Sequence, residues 1–252
     1  MSDLREQVLD ASAIEQWRAF FARGEVFAVP RETDQLRARL RANTVLLAVT
    51  GGLVVLSGMG LIVLSAIGLA RAITIVLIIV FAVVVAGVFV RFALVRRRLR
   101  GAADSGAEYL RIGAAGLRFG DAVDIPWSSV VGGVGFDHRD APVHWFHRLA
   151  ARVSPRAGLE QSELCLGLRG ARALRGTAPG RLGKTFTVLG DEGAVRIALD
   201  TAVSPDGVRT VLAAAHVAAA MAGVDVLLSN DPAVITQTIV DVTNGRAPRH
   251  AG

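Results

Sequence analysis

The chain has almost no lysine and almost no cysteine: Lys184 and Cys165 are the single examples. One cysteine excludes an internal disulfide and any cysteine-held metal cluster, and it fits a reducing compartment. Two longer absences say more. No charged residue occurs from Thr44 to Ala70, and none from Ala72 to Val90. Histidine is missing from both runs as well. Ion pathways, proton relays and transport sites need such groups at depth, so a two-span transporter or channel is disfavoured. With lysine nearly absent, arginine carries the positive charge of a chain with net charge +6. An arginine-preferring genome accounts for the choice. Beside apolar spans, that charge points to anionic lipid and not to nucleic acid.

What is present starts with those runs. They hold 27 and 19 residues and are separated by Arg71 alone. A helix rises ~1.5 Å per residue, and a span needs about 20 apolar residues. The pattern predicts a transmembrane helical hairpin over 43–95, with spans 44–70 and 72–90. The first 42 residues are charged and polar-rich, and the first apolar run is too long for a signal sequence, so an uncleaved anchor is expected. Arg31, Arg37, Arg39 and Arg41 precede the first span. Arg91, Arg96, Arg97, Arg98 and Arg100 follow the second. The positive-inside rule then places both termini in the cytoplasm of a multi-pass protein of the plasma (inner) membrane.

Small residues four apart, Ala48 with Gly52 and Ala82 with Ala86, suit close packing of the two spans. Before them, residues 1–42 predict amphipathic cytoplasmic helices. Leu9, Ala13, Ile14, Trp17, Phe20 and Phe21 share one face of the first, and Ser12, Glu15, Gln16 and Arg18 lie opposite. That helix either lies on the inner leaflet or packs on the cytoplasmic domain; the pattern suits both. A basic linker is expected over 96–107.

From residue 108 the period changes to that of strands. Strands are expected near Tyr109–Arg111, Leu117–Phe119, Val123–Trp127, Val130–Phe136, Glu163–Leu168, Thr185–Leu189 and Val195–Leu199. Turns fall at Gly113–Gly116, Pro179-Gly180 and Gly190–Gly193. Ser204, Pro205 and Asp206 form a helix start, and that helix runs to Gly223. A last helix is expected from Asp231-Pro232 to Asn244-Gly245, followed by a disordered tail. The fold class is α+β.

This element order, with Gly116-Leu117-Arg118-Phe119 and Asp124-Ile125-Pro126-Trp127-Ser128-Ser129-Val130, resembles the bacterial pleckstrin-homology (PH)-like domains. The group it is most similar to is the YcxB-like membrane proteins, which pair a two-span hairpin with such a domain. The resemblance covers about residues 108–223. It implies a PH-like antiparallel β-barrel or sandwich over 108–224, with a C-terminal capping helix and with Trp127 packed on the core. Residues 137–162 would be an insertion, and 225–252 a C-terminal helix and tail. The turn Gly113-Ala114-Ala115-Gly116 has no basic residue, so inositide binding there is not supported. PH-like folds also serve as protein-binding scaffolds.

The insertion carries the sharpest local pattern. On a helical wheel, Val143, Trp145, Phe146, Leu149, Ala150 and Val153 share one face, and His144, His147, Arg148 and Arg152 the other. Such a helix suits a membrane surface, the end of a β-barrel or a partner. Arg96, Arg97, Arg98 and Arg100 form a juxtamembrane cluster, each charge contributing about 1 kcal/mol near an anionic leaflet or serving only as a topology signal. Candidate lipid or partner contacts are therefore Arg96, Arg97, Arg98, Arg100, Trp145, Phe146, Arg148, Leu149 and Arg152. Asp137, His138, Asp140, His144 and His147 cluster in sequence, yet their spacing matches no zinc motif and two arginines share the face of His144 and His147. Ala178 to Thr185 formally resembles a P-loop, but Phe186–Leu189 reads as a strand where a helix is required. His216 sits on an alanine-rich helix as a structural residue. No catalytic constellation can be assembled, and neither cofactor nor metal is expected. The expectation is a membrane-anchored binding or scaffold module that contacts a protein partner and anionic lipid and is open to homo-oligomerisation. An accessory or regulatory subunit of a larger membrane complex is the alternative, ahead of an enzyme with an unrecognised site.

Overall fold

The computed structural model describes residues 4, 8–66, 72–103, 108–120, 123–138, 162–178 and 182–248. Helix α1 spans Ala11–Ala22, with the Asp10 carboxylate accepting from the Ala13 N–H as its N-cap. Strand β1 is Phe27–Pro30. Two long helices follow, α2 over Thr33–Ala66 and α3 over Ala72–Ala103. Both are long and apolar enough to cross a membrane.

The sheets come next. Strands β2 (Glu108–Gly113), β3 (Gly116–Phe119) and β4 (Val123–Pro126) join β1 in an antiparallel sheet of order β1-β2-β3-β4. A 3-10 turn at Trp127–Ser129 leads to β5 (Val130–Asp137), paired with β6 (Ser162–Leu168). After α4 (Ala171–Thr177) come β7 (Phe186–Leu189) and β8 (Glu192–Ala198). Helix α5 (Pro205–Met221), β9 (Val226–Leu228) and α6 (Pro232–Thr243) complete the chain. The second sheet has order β7-β8-β6-β5-β9. Strand β9 runs parallel to β5, so this sheet is mixed, whereas the resemblance implies antiparallel strands throughout.

Alternation sorts the two faces of the second sheet. Leu164, Leu166, Leu168, Val195 and Ile197 point into the main core, which α5 fills with Val208, Val211 and Leu212. Val134, Phe136, Cys165 and Ala194 point to the other face, under Ile235 and Val242 of α6. Glycine permits both approaches. A Cβ on Gly135 would lie 2.6 Å from Leu212 Cδ2, and one on Gly167 would lie 2.5 Å from the Val242 carbonyl oxygen. The first sheet sends Tyr109, Ile112, Leu117, Phe119 and Ile125 into the same main core. The Tyr109 hydroxyl donates to Ala198 O at 2.8 Å and so ties the two sheets together. Trp127 is buried, as expected, and clamps the β2–β3 turn. Its backbone N–H donates to Ala115 O, and its indole N–H to Gly113 O at 3.0 Å.

Four expectations are corrected. Residues 96–107 are not a linker from their start: α3 runs through to Ala103, because Val95 and Leu99 face the main core and hold the helix there. Residues 1–42 are not helices alone: Phe27–Pro30 pairs with β2 as an edge strand. Between the open alternatives for α1, packing on the domain is what the structure has, with Phe21 buried in the main core and α1 against α5. Residues 225–252 hold the expected helix as α6, and before it an unexpected strand, β9, which extends the second sheet, while Pro248 is buried beside Gly132. On α2, close approach falls at Gly51 and not at Gly52. A Cβ on Gly51 would lie 3.3 Å from the Phe89 ring, whereas Gly52 meets open space.

The helix ends follow their sequence signals. Ser204 caps α5 by accepting from Gly207 N–H, and Asp231 caps α6 by accepting from Ala233 N–H. Gly223 and Gly245 follow these helices with φ of 74° and 71°.

Because Leu36, Val95 and Leu99 belong to the same core as the sheets, truncating Leu99 should unfold the domain and the helix base together. Leu99→Ala is expected to cost about 2–5 kcal/mol, read from denaturant unfolding of the full chain in detergent. A fragment starting at residue 104 lacks Phe21, β1, Leu36 and Leu99 and should show no cooperative unfolding transition.

Candidate functional site

Two buried polar groups, Asp200 and Asn43, lie where the long helices enter the domain. Arg39 of α2 pairs with Asp200 at 3.5 Å, with side-chain exposures of 14% and 4%. Asp200 sits on the 3-10 turn Leu199–Thr201, directly after β8. Two residues on, Ala202 O accepts from the Glu32 N–H at 3.0 Å. The turn after β8 is thus bonded both to the start of α2 and to its second turn.

One turn further along α2 the bonds cross between the long helices. Fully buried Asn43 donates from Nδ2 to Phe92 O at 3.3 Å. Arg96 donates to the Thr44 hydroxyl at 2.6 Å, and that hydroxyl donates to Leu40 O at 2.7 Å. Beyond Thr44 the polar bonds end in local ones. The Thr50 and Ser57 hydroxyls donate to Leu46 O and Leu53 O, each four residues back on its own helix. The Thr44–Arg96 level therefore separates a polar, interlocked base from apolar helix.

The sequence-predicted contacts divide accordingly. Arg97 and Arg100 are exposed, as are Arg41 and Arg91, so they ring the helix pair near this level. Arg96 is half-buried and acts between the helices. The Arg98 side chain lies outside the described part of the structure. Trp145, Phe146, Arg148, Leu149 and Arg152 lie outside the described residues, with Asp140, His144 and His147. The stem of that segment is described. Asp137 and Ser162 are opposed in register, and the Ser162 hydroxyl donates to Asp137 Oδ1 at 2.8 Å. The Asp137 N–H donates to Asn230 Oδ1 at 3.0 Å. Burial draws the His138 imidazole below its ordinary value, against the opposing pull of Asp137. Among the described residues no group of three His, Cys, Asp or Glu side chains is placed to hold a metal.

The end of the P-loop-like stretch, Leu182–Thr185, is a 3-10 turn that runs straight into strand β7. Among the described residues no helix N-terminus follows the turn, and a P-loop requires one. His216 Nδ1 lies 2.6 Å from Val226 O; the carbonyl only accepts, so Nδ1 carries the proton and the ring ties α5 to β9. Glu163 is buried and held by Arg196 across the sheet.

Sequence reasoning missed a groove on the solvent face of the first sheet, about 790 Å³ in volume. Register explains it. Ala28, Arg111, Arg118 and Asp124 form one row across the four strands. The next outward row pairs Gly113 with Gly116 and Gly116 with Pro126, and Val26 lies beside Gly113 at its end. Arg111 pairs with Glu108, and Arg118 with Asp124 at 3.5 Å. Arg111 holds the half-buried Glu108 carboxyl below its ordinary value. The signal was present: Leu110-Arg111-Ile112 and Leu117-Arg118-Phe119 alternate about a two-residue turn, which sets the arginines opposite each other.

Comparison with protein-family models, with curated proteins and with solved structures finds no match.

Two results are expected. Asp200→Ala leaves the Arg39 charge buried and should lower stability by about 3–5 kcal/mol, while Arg39→Met with Asp200→Leu should recover much of it. Both are measured by denaturant unfolding in detergent. Burial, then the Glu163 carboxylate, pushes the Cys165 thiol up to about 12. Native protein at pH 8 should resist maleimide, and the thiol should react once the chain unfolds.

Proposed function

We propose that this chain is an integral membrane protein whose PH-like domain works as a binding and scaffold module, held in fixed geometry at the cytoplasmic face of the plasma membrane. The observation that carries this is the continuity of the two long helices with the domain core: Leu36, Val95 and Leu99 are buried among the same side chains as the strands. A domain attached only to deliver it to a membrane needs no more than a flexible tether. Here the attachment is a packed interface with a buried ion pair, and that suits a module that must present its surface in one orientation.

The level of the Thr44–Arg96 bond supports a lipid boundary there. Above it Val45, Val55, Leu56, Ile62, Ile73, Leu77 and Val83 are exposed, and side chains of that kind are stable in acyl chains and not in water. Val45 to Ala66 is 22 residues, ~33 Å of helix, close to the hydrocarbon thickness. Arg41, Arg91, Arg97 and Arg100 stand at headgroup depth, where each contributes about 1 kcal/mol with anionic lipid. Apart from Arg71 in the turn, the flanking arginines lie on the domain side, which supports cytoplasmic termini. A protein partner is the second ligand of the module. No side-chain arrangement among the described residues suggests catalysis.

Labelling tests the placement. In a Cys165→Ala background, Gly68→Cys should react with an impermeant maleimide from outside intact cells. Ser2→Cys and Gly252→Cys should react only after permeabilisation. Labelling of the termini from outside would reject the orientation. Recovery of the full chain in the soluble fraction would reject the membrane placement.

A further inference from the structure

Exposed arginines on most of this surface have a carboxylate beside them. Arg18 pairs with Glu15, Arg23 with Glu25, Arg37 with Asp34 and Arg118 with Asp124. Arg169, Arg172 and Arg175 are exposed too, and they form no ion pair among the described residues. The sequence gives the reason. From Leu164 to Gly190 it holds five cations and no aspartate or glutamate. Three of the five are these arginines, set at intervals of three on α4 and just before it.

The local fold does not call for them. Ala171 is buried, and Leu174 and Ala178 pack against the main core, so α4 is held by those residues. The arginines line its outer side. Like charges one turn apart on a helix are destabilising. Arg175, in the last turn, suits the helix dipole, whereas Arg172, in the first turn, opposes it. A stripe of one sign therefore persists at some cost to the helix that carries it.

Position selects the ligand. The turn Leu182–Thr185 packs on α3, and its Leu182 shares the main core with Leu99. Leu99 is three residues from Arg96, ~4.5 Å along the helix axis. The same turn touches α4: a Cβ on Gly183 would lie 3.5 Å from Arg175 O and 3.7 Å from Ala178 O. One turn of chain thus separates the stripe from the helix base, where Arg97 and Arg100 are exposed. An anionic leaflet attracts arginine over about a Debye length, ~8 Å at physiological salt, and the long side chains extend that reach. Nucleic acid and acidic proteins offer the same charge but give no reason for the stripe to lie beside the lipid boundary. This choice rests on the membrane placement proposed above.

We propose that Arg169, Arg172 and Arg175 form a second anionic-lipid contact, seated on phosphate headgroups of the cytoplasmic leaflet beside the helix pair. Arg41, Arg91, Arg97 and Arg100 ring the helices and set their depth. A stripe off the helix axis sets which side of the domain turns to the membrane.

The test places the full chain, in a Cys165→Ala background with a fluorophore on Ala173→Cys, in lipid nanodiscs. Position 173 is exposed and lies between the arginines. Every disc carries the same small share of phosphatidylcholine with a spin-labelled headgroup as quencher. Discs of equimolar phosphatidylglycerol and phosphatidylcholine should quench the fluorophore more strongly than discs of phosphatidylcholine alone. Salt at ~1 M, where the Debye length is ~3 Å, should remove the difference. Arg172→Gln with Arg175→Gln should bring quenching in anionic discs down to the neutral level, and the matching lysine pair should keep it. Equal quenching in the two kinds of disc, or anionic quenching that survives the glutamine pair, would overturn the proposal. An oligouridine that binds the chain in anionic discs through the same arginines would assign the stripe to nucleic acid and overturn it as well. Failure of the chain to co-elute with the discs rejects the membrane placement and this proposal with it, whereas co-elution without anionic quenching rejects the stripe alone.

Discussion

Everything else in this molecule depends on the burial of the helix base in the domain core. Leu36 and Leu99 are 4% and 0% exposed, and they pack with strands on one side and with α2 and α3 on the other. The Arg39–Asp200 pair sits beside them, out of water. A buried pair adds little net stability against an apolar alternative, but it is demanding of geometry, since either charge left alone is costly. It therefore fixes the direction in which the helices leave the domain. The bond from Glu32 N–H to Ala202 O adds a second fixed point at the start of α2.

From that anchor the order of the parts follows. Apolar helix surface, exposed for most of its length, begins at the Thr44–Arg96 level. Charged and hydrogen-bonded surface lies below it. Strand β1 and strand β2 flank the helix pair in sequence and pair with each other in space, so the first sheet is tied to the helices at both of its chain entries. The second sheet is reached through Trp127 and Tyr109, each of which bonds across elements. Packed side chains join the helix base to both sheets in one core.

Much of this was legible in the sequence, for identifiable reasons. The uncharged runs, the strand alternation from Tyr109 to Leu199 and the caps at Ser204 and Asp231 are local signals, and each element they imply is present. What was not legible depends on partners distant in sequence. Phe27–Pro30 is too short and too apolar to declare itself an edge strand until β2 is beside it. Val226–Leu228 becomes a strand because β5, with glycines at 133 and 135, admits it. Arg96–Arg100 looked like linker because four of five residues are arginine; Leu99, the fifth, decides the outcome by entering the core. Within the candidate site, the exposed arginines were predicted, while Arg111 and Arg118 gained meaning only through register. The single glycine or single arginine of each strand is unremarkable, and the groove exists because two of each align.

Hydrogen exchange of the full chain in lipid nanodiscs tests the central claim most directly. If the helix base and the domain are one body, the amides of residues 95–102 exchange as slowly as those of β6. Exchange of 95–102 within seconds, while β6 stays protected, would mean that the domain hangs from a flexible linker, and the account of a fixed scaffold would be wrong.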